Sequence, residues 1–155
     1  MDLKQLIAQR SPILLDGAMG TQLAAAGLAM GGQICLSHPE AVVAVHKAYV
    51  DAGSEVLITN TLTMNRIFIE THAIGVDVKE VNLAGALLAR SAARDGRYVL
   101  GDISSTGQML EPYGEYSEQQ FRDTFQEQAE HLLAGGVDGF MIEQRDPRVA
   151  ARRAS

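Results

Sequence analysis

Four polar side chains, Asp16, Asn60, Asp102 and Glu143, each close a short apolar run and recur about every 42 residues. Carboxylates brought together can hold a ligand ammonium. The residues after Asp16 are Gly17, Ala18, Met19 and Gly20, small enough for backbone N–H groups to approach a ligand carboxylate. An ammonium and a carboxylate on one molecule describe an amino acid. The competing reading makes each strand-end polar group a local cap for a helix or loop. Four in register favour a common pocket, because one rim of a parallel barrel gathers all strand ends.

Other chemistries find little support. Cys35, His38 and His46 are the nearest set of soft metal ligands. A structural zinc site wants four ligands and a catalytic one about three, so no metal site is expected from this chain alone. His46 falls on the apolar face of a helical pattern and reads as a packed core histidine; His72 and His131 read as ordinary loop and helix residues. The glycines after Asp16 lack dinucleotide spacing. Ser105–Thr106–Gly107 could hold a phosphate at a helix start, but no P-loop lysine follows. Ser104, Ser105 and Cys35 have no histidine placed as a partner base.

The elements that must position these groups are four short runs: Ile13–Leu15, Val56–Ile58, Tyr98–Leu100 and Phe140–Ile142. Amphipathic stretches separate them, giving repeated strand–helix units. A helix is expected from about Pro39 to Ala52, with Ser37 and Glu40 at capping-box spacing. A second starts near Asp77 with Glu80 three residues on, and a third runs from Ser117, with Gln120 as capping partner, to Gly135. Residues 16–33 read as a Gly- and Ala-rich loop, the segment up to Gly75 as an irregular helical turn, and Met1–Arg10 as a short covering helix. Residues 101–117 form the longest stretch without periodicity, and loops of that length are usually functional or disordered. The fold class is α/β, with parallel (β/α) units of a TIM-type (β/α)8 barrel. About four of eight units are present, as a single partial domain over residues 1–155, since a whole barrel needs roughly 250 residues.

A net charge of −6 argues against nucleic acid, which asks for clustered Lys and Arg. No apolar run approaches the roughly 20 residues that span a bilayer. One cysteine excludes an intrachain disulfide framework and fits a reducing cytoplasm.

Four segments, "ILLDGAMGTQL", "HPEAVVAVHKAYVDAGSEVLITNT", "GDISSTGQMLEPYGEYS" and "LLAGGVDGFMIE", resemble in order the homocysteine S-methyltransferase family from about Ile13 to Glu143. The resemblance implies a (β/α)8 barrel that transfers a methyl group to the thiol of homocysteine, giving methionine. It implies a zinc ion held by three cysteines, which lowers the thiol pKa. It places the amino-acid end of homocysteine at Asp16, Gly17, Ala18, Met19 and Glu143, with Thr59, Asn60 and Thr61 matching the family's "TNT". The methyl donor stays open among a methylcorrinoid, betaine, S-methylmethionine and other compounds.

The chain also departs from the family pattern. The zinc cysteines belong to strands six and eight, beyond Ser155, and Cys35 is not one of them. Ser105 replaces a proline, Gln144 a threonine, and the stretch from Gly31 to Cys35 looks shortened. Two readings of "QRDPRVAARRAS" stay open: a small deletion ahead of a fourth helix opened by Asp146 and Pro147, or a sequence that has left its reading frame. The expectation is therefore a truncated gene product, inactive alone for want of metal ligands. The alternative is a non-catalytic half-barrel that self-associates or pairs with a complementary half and binds an amino acid.

Overall fold

The computed structural model describes residues 3–9, 12–93 and 96–143. Its elements run α1 (Leu3–Gln9), α2 (Met19–Ala25), α3 (Ile34–Ser37), α4 (Pro39–Asp51), β1 (Val56–Ile58), α5 (Arg66–Thr71), α6 (Val78–Ala92), β2 (Tyr98–Ile103), α7 (Glu118–Ala134) and β3 (Gly139–Ile142). No helix among the described residues is long and apolar enough to cross a membrane.

Helix starts follow side-chain chemistry at α6 and α7. Asp77 accepts a hydrogen bond from the Glu80 N–H at 2.9 Å, and Ser117 and Gln120 form a reciprocal capping box. The α5 turn is opened by Asn65, whose side chain accepts from the Phe68 N–H. The capping box expected at Ser37 and Glu40 does not form. Ser37 is the last residue of α3, and the N-cap of α4 is His38, without a side-chain cap bond. Pro39 opens α4 with its preset φ. Residues 16–33, read as loop, contain α2. Its alanines favour helix, and Leu23 is fully buried beneath it.

The strands are parallel in the order β1-β2-β3. Val56 pairs with Tyr98 and Ile58 with Leu100; Leu100 pairs with Gly139 and Asp102 with Met141. The expected strand Ile13–Leu15 is reduced to one parallel bridge, Leu15 to Val56. It lies in strand position nonetheless, since Glu55 N–H donates to the Leu14 carbonyl at 2.8 Å and Asp16 N–H to the Val56 carbonyl at 2.9 Å. Its outer edge meets no strand among the described residues, so it has a partner on one side only. The strand read as Tyr98–Leu100 continues to Ile103, which carries Asp102 inside the sheet rather than past its end.

Alternation along the strands divides the side chains between two faces. Leu57, Val99 and Ile103 pack with Val50, Ala86, Ala89, Ala92, Leu132 and Val137 under the helices. Val56 and Leu100 face the other way, against Leu6 of α1, with Leu3, Ile13 and Met141 around them. The covering helix read at the start of the chain is thus anchored by one buried leucine. Asp102 lies two residues beyond Leu100 and shares its face. The tail with Gln144, Asp146 and Pro147 lies outside the described residues.

Candidate functional site

The carboxyl ends of the strands open on a cavity of about 360 Å³. Asp16, Gly17, Ala18, Met19, Thr59, Asn60 and Glu143 all line it, together with Asp102. These residues therefore reach one place, while Thr61, matched to the same family motif, is fully buried outside the lining. A second groove of about 390 Å³ between α2 and α4 is lined mainly by alanines, Leu23 and Val45. It lacks convergent charged groups, so the smaller, more polar cavity is the candidate site.

The segment after Leu15 is held from beneath. The Asp16 Oδ2 accepts from the Ile58 N–H at 3.0 Å, and the Tyr49 hydroxyl of α4 donates to the Ala18 carbonyl at 3.1 Å. A Cβ on Gly17 would stand 2.9 Å from that hydroxyl, so a larger residue there would have to push the Tyr49 side chain aside. His46 is fully buried, as its place on the apolar face predicts. Its surroundings are not purely apolar: Nδ1 is 3.7 Å from the Asp16 Oδ2.

Thr59, Thr61 and Asp102 form a closed set of hydrogen bonds. The Asp102 N–H donates to the Thr59 Oγ1 at 2.9 Å, and the Thr61 Oγ1 donates to the Asp102 carbonyl at 2.9 Å. The two hydroxyls are 2.6 Å apart. Each hydroxyl has one proton. Thr61 spends its proton on the carbonyl, so Thr59 must donate to Thr61. Thr59 thus lines the cavity with its hydroxyl proton already committed, and the pair clamps the backbone of Asp102. Beneath them, Gln128 of α7 donates to the Thr61 carbonyl at 2.9 Å and to the Asn82 Oδ1 at 3.2 Å. Asn82 in turn donates to the Met64 carbonyl at 2.7 Å. The loop after β1 therefore rests on a buried polar network from two helices.

Asp102 is only 7% exposed, and its Oδ1 has no hydrogen-bond partner among the described residues. The Asp16 Oδ1 is likewise buried and without a partner. Burial pushes the Asp102 carboxyl up to about 7, and the Glu143 and Asp16 charges add to the rise. Glu143 is exposed, and its N–H donates to the Ile103 carbonyl at 3.0 Å. Three carboxylates around one cavity suit a cationic group of a ligand.

The donor set does not fit a zinc ion. Among the described residues no three His, Cys, Asp or Glu side chains are grouped to hold a metal. Cys35, His38 and His46 are not brought together: Cys35 packs with Leu23, Ile34 and Val42, His38 stands at the N-cap position of α4 without a side-chain cap bond, and His46 faces Asp16. The Cys35 Sγ donates to the Asn60 carbonyl at 3.5 Å, and burial pushes its thiol up to about 12, far from a metal-binding thiolate. His72 stacks on Phe68 at 3.9 Å.

Sequence reasoning missed the wall formed by Met30, Gly31 and Gly32, and the lining residues Leu62 and Thr63. The paired glycines were the available signal. A Cβ on Gly32 would lie 2.8 Å from the Asn60 carbonyl oxygen, so this wall touches the loop after β1 only because side chains are absent.

Comparison with known proteins agrees with this architecture. Residues 13–146 match the family model described as homocysteine S-methyltransferase. The methionine synthases of Mycobacterium leprae and Mycobacterium tuberculosis are each 31% identical, over 92% of this chain and 13% of theirs. The crystal structure of the homocysteine methyltransferase MmuM from Escherichia coli in its metallated form superposes with a TM-score of 0.73 at 24% identity, covering 91% of this chain and 56% of that one. Its apo form gives 0.68 at 26% identity, covering 90% and 51%. The chain spans 13% of the curated relatives it matches and about half of the solved ones. With the match running through nearly all the described residues, the chain belongs to the homocysteine S-methyltransferase family.

Proposed function

We propose that residues 1–155 form one partial barrel, the first four of eight (β/α) units, and that its rim holds the amino-acid end of homocysteine for methylation of the thiol to methionine. The observation that carries this reading is the convergence of Asp16, the Gly17–Ala18–Met19 segment and Glu143 on one cavity with Asp102. In this reading Asp16 and Glu143 accept hydrogen bonds from the ligand ammonium. Backbone N–H groups of Gly17, Ala18 and Met19 receive its carboxylate, and Thr59 and Asn60 fix the floor. Small, tightly seated residues keep those N–H groups within reach.

Methyl transfer forms a bond from homocysteine sulfur to the methyl carbon and breaks the bond from that carbon to its donor. The described residues supply binding and orientation for this step and no thiolate-activating group. The chain is therefore expected to form no methionine by itself. The donor, a methylcorrinoid or another methyl compound, would meet the sulfur at the open side of the rim.

A second reading, a half-barrel that binds an amino acid and pairs with itself or a complementary half, is favoured by exposed apolar side chains at both sheet edges. Leu15 and Phe140 are each 37% exposed and Ile142 58%. Both readings keep the amino-acid anchor, so calorimetry with L-homocysteine on Glu143→Ala tests it. Loss of a charge-assisted partner should weaken binding by roughly 2–3 kcal/mol. Unchanged affinity would remove Glu143 from the anchor.

A further inference from the structure

We propose that Asp102 is a third ligand-contacting carboxylate of this cavity, and that it releases its proton to solvent when a ligand ammonium enters between it, Asp16 and Glu143. The proposal rests on the amino-acid reading of the cavity and adds to it a residue and a proton balance.

The placement is geometric. Asp102 stands on β2 on the face of Leu100, with its backbone clamped by both threonine hydroxyls. Those bonds fix its backbone, and so the point on β2 from which the side chain reaches the cavity. Asp102 lines the cavity, is 7% exposed as a residue, and leaves a buried Oδ1 without a hydrogen-bond partner among the described residues. A buried ionised carboxylate with an unpartnered oxygen is costly, so such a group holds a proton more readily than an exposed one, though a backbone hydrogen bond from Ile103 offsets part of this.

No protein cation supplies that charge among the described residues. The titratable groups facing Asp102 are Asp16, from the segment beside β1, and Glu143, after β3, and both are acidic. The loop after β1 contributes Thr59, Asn60, Leu62 and Thr63, and the Met30–Gly32 wall contributes no titratable group. His46 stands behind Asp16 rather than in the cavity lining. Burial and two like charges hold the empty-site carboxyl at about 7.

An entering ammonium reverses the balance. It keeps its three protons, and its charge attracts the carboxylates that line the cavity. Its charge lowers the Asp102 pKa, and the Asp102 proton passes to the buffer. A ligand lacking the amino group gains nothing from this exchange, so Asp102 would favour amino acids over their deaminated analogues.

The test is calorimetry of L-methionine and L-homocysteine at pH 6, 7 and 8, in buffers of different ionisation enthalpy. Methionine has no thiol, which removes thiol ionisation from the proton count. For a group at about 7 that drops well below 6 on binding, linkage gives release of about half a proton at pH 7. It also gives an affinity gain of roughly tenfold from pH 6 to pH 8. Asp102→Asn should abolish the release, flatten the profile and bind about tenfold more weakly at pH 8. Should that variant fail to fold, carboxyl carbon NMR of the unaltered chain reads the same quantity. The Asp102 resonance should titrate near neutrality without ligand and at lower pH with saturating methionine. Binding without proton release, or an Asp102 titration near the ordinary value of about 4 that ligand leaves unmoved, would overturn the proposal. Failure of the unaltered chain to bind either amino acid would instead overturn the amino-acid reading on which it stands.

Discussion

Thr59→Val separates the architectural use of this threonine from its place in the cavity lining. Valine keeps the shape and the methyl group and removes one oxygen. The Asp102 N–H, now bonded to the Thr59 Oγ1 at 2.9 Å, would lose its acceptor in a site too buried for ready water access. An unsatisfied buried donor costs about 1–3 kcal/mol. The Thr61 hydroxyl keeps its donation to the Asp102 carbonyl and loses only the proton it receives. No cavity opens, so the sum is about 2 kcal/mol. With a urea slope of about 2 kcal/mol per molar, the unfolding midpoint should fall by about 1 M at unchanged slope. Thr59→Ser keeps the hydroxyl and removes one methyl, which costs about 0.8 kcal/mol. The expected order is therefore unaltered chain, serine, valine. A serine variant as unstable as the valine one would refute the hydrogen-bond argument, as would a valine variant within about 0.3 M of the parent.

Cys35 should resist thiol reagents at pH 8, because burial holds it neutral; stoichiometric labelling of the native chain within minutes would contradict this. Gly32→Ala should destabilise by about 1–3 kcal/mol, since its new methyl meets a backbone oxygen that cannot swing away. Chemical denaturation measures it, and an unchanged midpoint would show that the Met30–Gly32 wall shifts freely. The exposed apolar groups on the edge strands should make the chain associate as concentration rises. Ile142→Lys should reduce that association in sedimentation velocity, and equal association would move the contact elsewhere.

The amino-acid text determined the local events. Asp77 with Glu80 and Ser117 with Gln120 place helix starts because a cap needs only its own neighbours. The apolar runs at 56–58, 98–100 and 140–142 mark strands for the same reason, and strand-end polar residues mark the rim. The motifs from Ile13 to Glu143 were specific enough for the family to be legible. The capping-box spacing at Ser37 misleads because Ser37 belongs to the preceding turn, which spacing alone does not reveal. Residues 19–25 read as loop because glycine and alanine carry little amphipathic signal, whereas burial of Leu23 holds them helical.

Tertiary structure decided what depends on residues far apart in sequence. The run at 13–15 became a single bridge, Leu15 to Val56, because strand pairing is set by partners some forty residues away. His46 reads as a core residue from its helix alone, and only folding sets it 3.7 Å from Asp16. Asp102 looks like any strand-end carboxylate in the text. Its burial, its unpartnered oxygen and the charges of Asp16 and Glu143 exist only once three strand ends meet. Local propensity acts over a few residues, while desolvation and charge–charge repulsion act through space, so the sequence names the groups and the fold sets their chemistry.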